Sequence, residues 1–341
     1  MRYKRALALA AHRGGLFSAA GALFGGRRLT VLAYHRVADR HGPEFDTYRR
    51  NVSASPEDFS RQMDHVAERF HPVSLEQVEA ALDDGPPLPR RPLLVTFDDG
   101  YRDNLLAALP VLQDRGIPMA IFLATDFVDG SRRFPWDLAA WCFHHTARDG
   151  AELPVTGWRA WAGPPERERV LGAWLETLKR RPEEEREEAM AALPEALGVV
   201  VPPDALSGLC LSWDEVRAMA SAGVSVGAHT AGHPILTRVS ADRARSEVAG
   251  SKRRVEEELG RPVTAFAYPN GGRDDLDDAT VRLLAQAGYR LGFTLFPGPE
   301  RAAAARQTPL TLRRVYVHHG DHPARFAANV NGVPRLLRGA R

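Results

Sequence analysis

Cysteine is nearly absent from this chain: among 341 residues only Cys142 and Cys210 occur, far apart and outside any Cys-x-x-Cys spacing. A disulfide scaffold, a cysteine zinc knuckle and a dithiol redox pair are thereby excluded, and the two thiols read as buried. A dominant charge is lacking as well. With 45 basic and 43 acidic residues and a net charge of +2, no global field recruits nucleic acid or an acidic polymer. No run approaches the ~18 apolar residues of a membrane-spanning helix, and internal repeats and long low-complexity segments are missing. What is present, 44% hydrophobic and 26% charged residues, is ordinary for a globular protein with one large α/β domain or two modest ones.

The start, Met1-Arg2-Tyr3-Lys4-Arg5 followed by Ala6 to Ala11, imitates a secretory leader until His12 and Arg13 interrupt the apolar run. Such a leader needs roughly 7–15 uninterrupted apolar residues, so the expectation is no cleavage. Residues 1–28 are read as a tail or an amphipathic helix lying on a membrane face through Leu16, Phe17, Leu23 and Phe24. A cytoplasmic protein, peripheral at most to the inner face of the membrane, is expected.

Seven short apolar runs, rich in β-branched residues and bounded by turn residues or helical patterns, are strand candidates: Leu29 to Tyr34, Leu93 to Phe97, Met119 to Leu123, Val224 to Ala228, Ala265 to Tyr268, Leu291 to Leu295 and Leu312 to Val317. Helical patterns lie between them over Pro56 to Phe70, capped by Ser55, and over Leu75 to Leu82, Asp214 to Ala222, Ala241 to Leu259 and Asp277 to Ala287, the last three followed by glycine. The alternation predicts an α/β fold, a distorted and incomplete (β/α) barrel of about seven strands over residues 29–320. Residues 131–208, with Trp136, Trp141, Trp158, Trp161 and Trp174, break the rhythm and are read as a helical insertion. The run Arg180 to Glu188 is expected to be a solvated helix face, and residues 321–341 a C-terminal tail.

Chemistry-bearing residues recur at strand ends. Val95-Thr96-Phe97 runs into Asp98-Asp99-Gly100; successive strand side chains alternate faces, so both acids serve one site only if the chain turns, which Gly100 permits. One acid can then hold a metal while the other takes a proton. His229 and His233 follow the strand ending at Ala228, and with Asp99 they form a carboxylate and imidazole set suited to zinc or a similar divalent ion. Tyr268-Pro269-Asn270 enters a glycine-rich loop whose N–H groups can face an oxyanion. His35, ending the first strand, is placed for proton transfer. Each motif alone also has a bland reading, as turn, cap or packed histidine. Their shared position at strand ends favours one site.

These residues resemble the polysaccharide deacetylases, the NodB-homology group of carbohydrate esterases, and specifically the branch acting on surface polysaccharides. The resemblance spans roughly residues 30 to 320 and is carried by Thr96-Phe97-Asp98-Asp99-Gly100 and His229-Thr230-Ala231-Gly232-His233-Pro234, and that to the branch by Tyr34-His35-Arg36-Val37 and Phe266-Ala267-Tyr268-Pro269-Asn270-Gly271. It implies Asp98 as catalytic base and Asp99, His229 and His233 as ligands of one divalent metal, zinc foremost, with cobalt or nickel as alternatives. Ala267 occupies the place of an arginine that holds the base in many members; Arg314, from a late strand, is the candidate replacement if the order of motifs is permuted around the barrel. By the same permutation His35 takes the role of general acid, since the late Leu-x-His motif has no clear copy and His318 and His319 fit it poorly. The implied activity is hydrolytic removal of acetyl groups from N-acetylated sugars of a polysaccharide or its lipid-linked precursor. An O-acetyl glycan esterase and an inactive carbohydrate-binding homologue are the alternatives.

Overall fold

Each of the seven apolar runs forms a strand in the computed structural model, which describes residues 28–42, 45–130 and 132–333. The strands are β1 (Arg28–Tyr34), β2 (Pro92–Phe97), β3 (Met119–Leu123), β4 (Ser225–Ala228), β5 (Ala265–Ala267), β6 (Leu291–Pro297) and β7 (Leu312–Tyr316). All pair in parallel, each with its neighbour in sequence. β7 returns to β1, Leu32 standing opposite Val315. The ring therefore closes with seven strands, one short of the eight of a full barrel. The segment expected as an N-terminal tail or amphipathic helix lies, but for Arg28, outside the described residues.

Strand alternation sorts the side chains into two layers. Val31, Leu94, Ala120, Phe122, Ala267, Phe293 and Leu312 fill the barrel interior. Gly227 belongs to that layer, because a Cβ there would stand 2.5 Å from the Phe122 ring. The alternate residues, among them Leu32, Leu93, Val95 and Ile121, pack outward against helices. Helix α1 (Pro56–Arg69) begins where Ser55 accepts the Asp58 N–H, and it buries Phe59, Met63 and Val66 on that outer layer. Helix α2 (Leu75–Leu82), held by a Ser74–Gln77 capping box, contributes Leu75, Val78 and Ala81 to the interior cluster.

The insertion is mainly helical, with α3 (Pro135–His145), α4 (Pro164–Leu178) and α5 (Glu183–Leu197), and it also contains a small hairpin, Gly150–Leu153 with Gly157–Ala160. Phe143, Trp161, Leu171, Trp174 and Leu193 give it a core of its own. The charged run is largely the solvated face expected, with Arg181 paired to Glu185 four residues on, and its Glu183, Arg186 and Glu187 also line the cavity of the candidate site. One expectation needs correction. The segment read as a tail from residue 321 contains helix α6 (Pro323–Val330), whose Phe326 and Val330 join the outer core; its apolar residues recur at helical spacing and are buried accordingly. Among the described residues no helix is long and apolar enough to cross a membrane.

Candidate active site

Asp98 still follows the strand pattern: its N–H bonds to the Tyr34 carbonyl at 3.0 Å, so it faces inward like Leu94 and Thr96. The turn comes at the next residue. Asp99 has φ +75° and Gly100 +88°, a left-handed conformation that aspartate tolerates better than most side chains. Two adjacent carboxylates thus meet at one end of the barrel, and both are 1% exposed.

Asp98 is held by Arg314, which projects inward from β7 and is itself 1% exposed. Nη1 and Nη2 donate to the two carboxylate oxygens at 2.7 and 2.8 Å. Arg314 Nε donates to the Thr294 carbonyl, and Nη1 also reaches Thr96 Oγ1 at 3.3 Å. Burial pushes the Asp98 carboxyl upward, but the charge and hydrogen bonds of Arg314 outweigh it and hold the group below the usual carboxylate range. Ala267, in the same interior layer, offers only a methyl, so the guanidinium comes from two strands away.

Asp99 Oδ1 lies 3.5 Å from His229 Nε2 and 3.4 Å from His233 Nε2, and the three potential ligand atoms fall within 4.8 Å of one another. His229 commits Nδ1 to the Ala267 carbonyl at 2.7 Å, which fixes the ring and leaves Nε2 for the site. His233 follows a tight loop with positive φ at Thr230 and His233; Glu247 accepts from the N–H groups of Ala231 and Gly232 at 2.9 and 2.7 Å, and Thr230 Oγ1 from His233 N–H. Among the described residues neither buried oxygen of Asp99 has a hydrogen-bond partner. An ionised carboxylate left so is costly, and two imidazoles converging on it form a donor set that fits a divalent cation. Burial raises the Asp99 carboxyl, but the surrounding imidazoles, His35 first, hold it far below its usual range. Burial and the neighbouring imidazoles lower His233, toward the neutral form that a ligand requires.

His35 Nε2 stands 4.0 Å from Asp99 Oδ2, and the ring packs edge-on against Tyr316. Of the three loop residues expected to meet substrate, only Asn270 lines the cavity. The Tyr268 side chain turns the other way, 1% exposed, against Phe266, with its hydroxyl donating to the Leu310 carbonyl and its N–H to Phe293. Pro269 is buried and has no N–H to offer. Strand alternation explains the correction, since Ala267 points inward and Tyr268 therefore points out.

The site opens into a cavity of about 300 Å³. His35, Asp99, His233 and Asn270 form its floor, and the insertion supplies a wall of Trp136, Leu138, Leu175, Leu178 and Met190. Trp136 packs edge-on against His233, ring centroids 4.9 Å apart. Its Nε1–H donates to the Tyr101 hydroxyl at 2.7 Å, and Tyr101 donates to Asp137 at 2.6 Å. Burial pushes the Asp137 carboxyl up to about 6, although Arg36, the Tyr101 hydroxyl and the Tyr48 N–H oppose the rise. Sequence pattern leaves Trp136 open between core packing and a sugar groove, and it gives no role to the Tyr101 hydroxyl or the Asp137 carboxylate. Their nearness to the Asp98-Asp99-Gly100 turn and to Trp136 in sequence was the available signal.

A sequence profile for polysaccharide deacetylases matches residues 85–292, more than half of the chain. YxkH of Bacillus subtilis strain 168, which carries a polysaccharide deacetylase name, is 28% identical over 123 residues, covering 36% of this chain and 42% of that one. The match thus spans less than half of that relative's length. Among solved structures, the Streptococcus pyogenes deacetylase PplD in complex with acetate superposes with a TM-score of 0.57 at 19% identity, covering 89% of this chain and 98% of that one. IcaB from Ammonifex degensii gives 0.56 at 22% identity, covering 90% and 98%. At such identities the structural likeness concerns the fold.

Proposed function

The chain belongs to the polysaccharide deacetylase family, a family of hydrolases, and from that premise we propose that it removes acetyl groups from N-acetylated sugars of a polysaccharide or its lipid-linked precursor, releasing acetate. One observation carries the reading: a buried carboxylate clamped by Arg314 stands beside a three-residue metal-ligand set at the floor of a cavity.

Asp99, His229 and His233 would hold the cation, with zinc matching the donor set. When bound, such an ion polarises the acyl carbonyl and makes water easier to deprotonate. Asp98, kept ionised by Arg314, accepts the proton of the attacking water. The Arg314 clamp leaves each Asp98 oxygen a second lone-pair direction for that contact. Asn270, at the cavity floor, is the loop residue available to donate to the developing oxyanion. His35, on the Asp99 side, donates a proton to the departing nitrogen, without which an amine does not leave. Trp136 and the insertion wall exclude water and pack on the sugar ring.

The test is acetate release by metal-loaded protein from N-acetylhexosamine oligomers, lipid-linked N-acetyl sugars and O-acetylated xylan in parallel. Release from the N-acetyl substrates that disappears in Asp98→Asn is expected. Release from acetylated xylan alone would replace the reading with esterase chemistry, and no release from any substrate would favour a binding protein.

A further inference from the structure

A second cavity, of about 310 Å³, is lined by Arg40, Arg49, Arg50, Pro164, Pro165, Glu168 and Arg169. Four guanidinium groups face a single carboxylate. That carboxylate is already engaged: Glu168 is bonded to His144 at 2.5 Å and lies 3.7 Å from Arg49. Arg169 pairs with Glu166. Among the described residues Arg40 and Arg50 have no carboxylate within ion-pair distance, Arg40 Nε and Nη1 are buried without a hydrogen-bond partner, Arg49 Nε has only the ion pair to Glu168, and Arg50 is exposed and bonded to Tyr48.

Unpaired buried guanidinium N–H groups are expensive, and like charges packed together add to the cost. Burial and the adjacent charge of Arg49 lower the affinity of Arg40 for its proton. The N-terminus of α4 opens at the same place, but Pro164 and Pro165 have no N–H to offer and Glu166 accepts the Ala162 N–H there, so the guanidinium groups carry the site. The position of Arg50 is built into the packing: its guanidinium lies on Gly172, where a Cβ would stand 2.6 Å from Nη2. Three forks converging on one space match a tetrahedral oxyanion bearing more than one charge.

We propose that this pocket binds a phosphoryl anion, a phosphate monoester or diphosphate borne by the sugar that is deacetylated. The substrate-borne part rests on the deacetylase reading. Its structural basis is the single turn Arg49–Asn51, which sends Asn51 into the catalytic cavity and Arg49 and Arg50 into the second. Adjacent residues of one turn thus line the two cavities, and this is the ground for assigning the anion to the sugar held in the first.

The pocket is tested by calorimetric titration of the full chain with inorganic pyrophosphate, which needs no turnover. Saturable binding is expected, weakened roughly tenfold or more in Arg40→Ala and Arg50→Ala by loss of a charge-assisted hydrogen bond, and weakened also in Gly172→Ala, which displaces Arg50 without removing charge. Melting curves check that each variant folds. Absence of saturable binding by the unaltered chain, or undiminished binding by the Arg40→Ala/Arg50→Ala double variant, overturns the site. The source of the anion is read in an Asp98→Asn background by titrating N-acetylglucosamine 1-phosphate and methyl N-acetylglucosaminide. Preference for the phosphorylated sugar, abolished in the double variant, supports a substrate-borne phosphate; equal affinities with intact pyrophosphate binding overturn that part and assign the pocket to a free anion.

Discussion

Arg314 lies 216 residues beyond Asp98 in the chain and presents Nη1 and Nη2 to its two carboxylate oxygens at 2.7 and 2.8 Å, deep inside the barrel. Breaking a buried pair by removing one partner typically costs about 3–5 kcal/mol, because the survivor is left uncompensated. Arg314→Ala should therefore lower stability by that order in urea denaturation, and lower kcat together with it. Arg314→Lys, which keeps the charge but loses the fork, should recover more of the stability than of kcat. Equal kcat in Arg314→Ala and the unaltered chain would remove Arg314 from the positioning of the base.

The two adjacent aspartates should separate by assay. Asp98→Asn is expected to retain metal, measured by elemental analysis of the dialysed protein, while kcat falls by roughly 10²–10⁴. Asp99→Ala should lose both metal and activity, since it removes the only carboxylate of the ligand set.

Metal removal should appear in stability as well as in activity. A ligand present at 100 times its Kd stabilises the folded state by about 2.7 kcal/mol. Chelation should lower the melting temperature reversibly, and re-addition of zinc should restore it. The same titration on Asp99→Ala should leave the melting temperature unmoved.

Asp137 predicts a pH dependence of a particular sign. Its carboxyl is pushed from the ordinary 3.8 up to about 6 by burial, the dominant cause. Between about pH 4 and pH 6 the folded chain therefore holds a proton that the unfolded chain has released, and stability falls as pH rises, by on the order of 3 kcal/mol across the window. Below pH 4 both states are protonated and the contribution is flat. In Asp137→Asn this downward slope should vanish, which chemical denaturation at several pH values would show as a changed pH profile rather than a uniform loss.

Trp136 touches both the cavity and His233. Trp136→Ala should raise KM by several-fold through the lost wall and weaken metal retention through a looser His233. Trp136→Phe, which keeps an aromatic face but not the Nε1–H bond to Tyr101, should fall between. An Ala variant with unchanged KM and metal content would reduce Trp136 to packing.

Much of the architecture was legible because it depends on local pattern. The seven strands were found where apolar runs stop, and helix starts where Ser55 caps and where Phe59, Met63 and Val66 repeat. The candidate ligand set could be named because Asp99 and His229 follow barrel strands closely, with His233 in the loop after His229, and parallel strands gather their ends on one face. Tyr268 was misread because a motif names a stretch of chain but does not state which face of the strand each residue takes.

The sequence by itself determined the alternation of seven strands with helices and the residue types of the candidate metal site, since periodicity and strand-end chemistry are short-range properties written residue by residue. Only the tertiary structure decided that Arg314 compensates for Ala267, that the insertion walls the catalytic cavity, and that Arg40, Arg49 and Arg50 line a second one. Those are distances between residues far apart in the chain, set by closure of the ring and by packing of the insertion against it, and no local pattern encodes them.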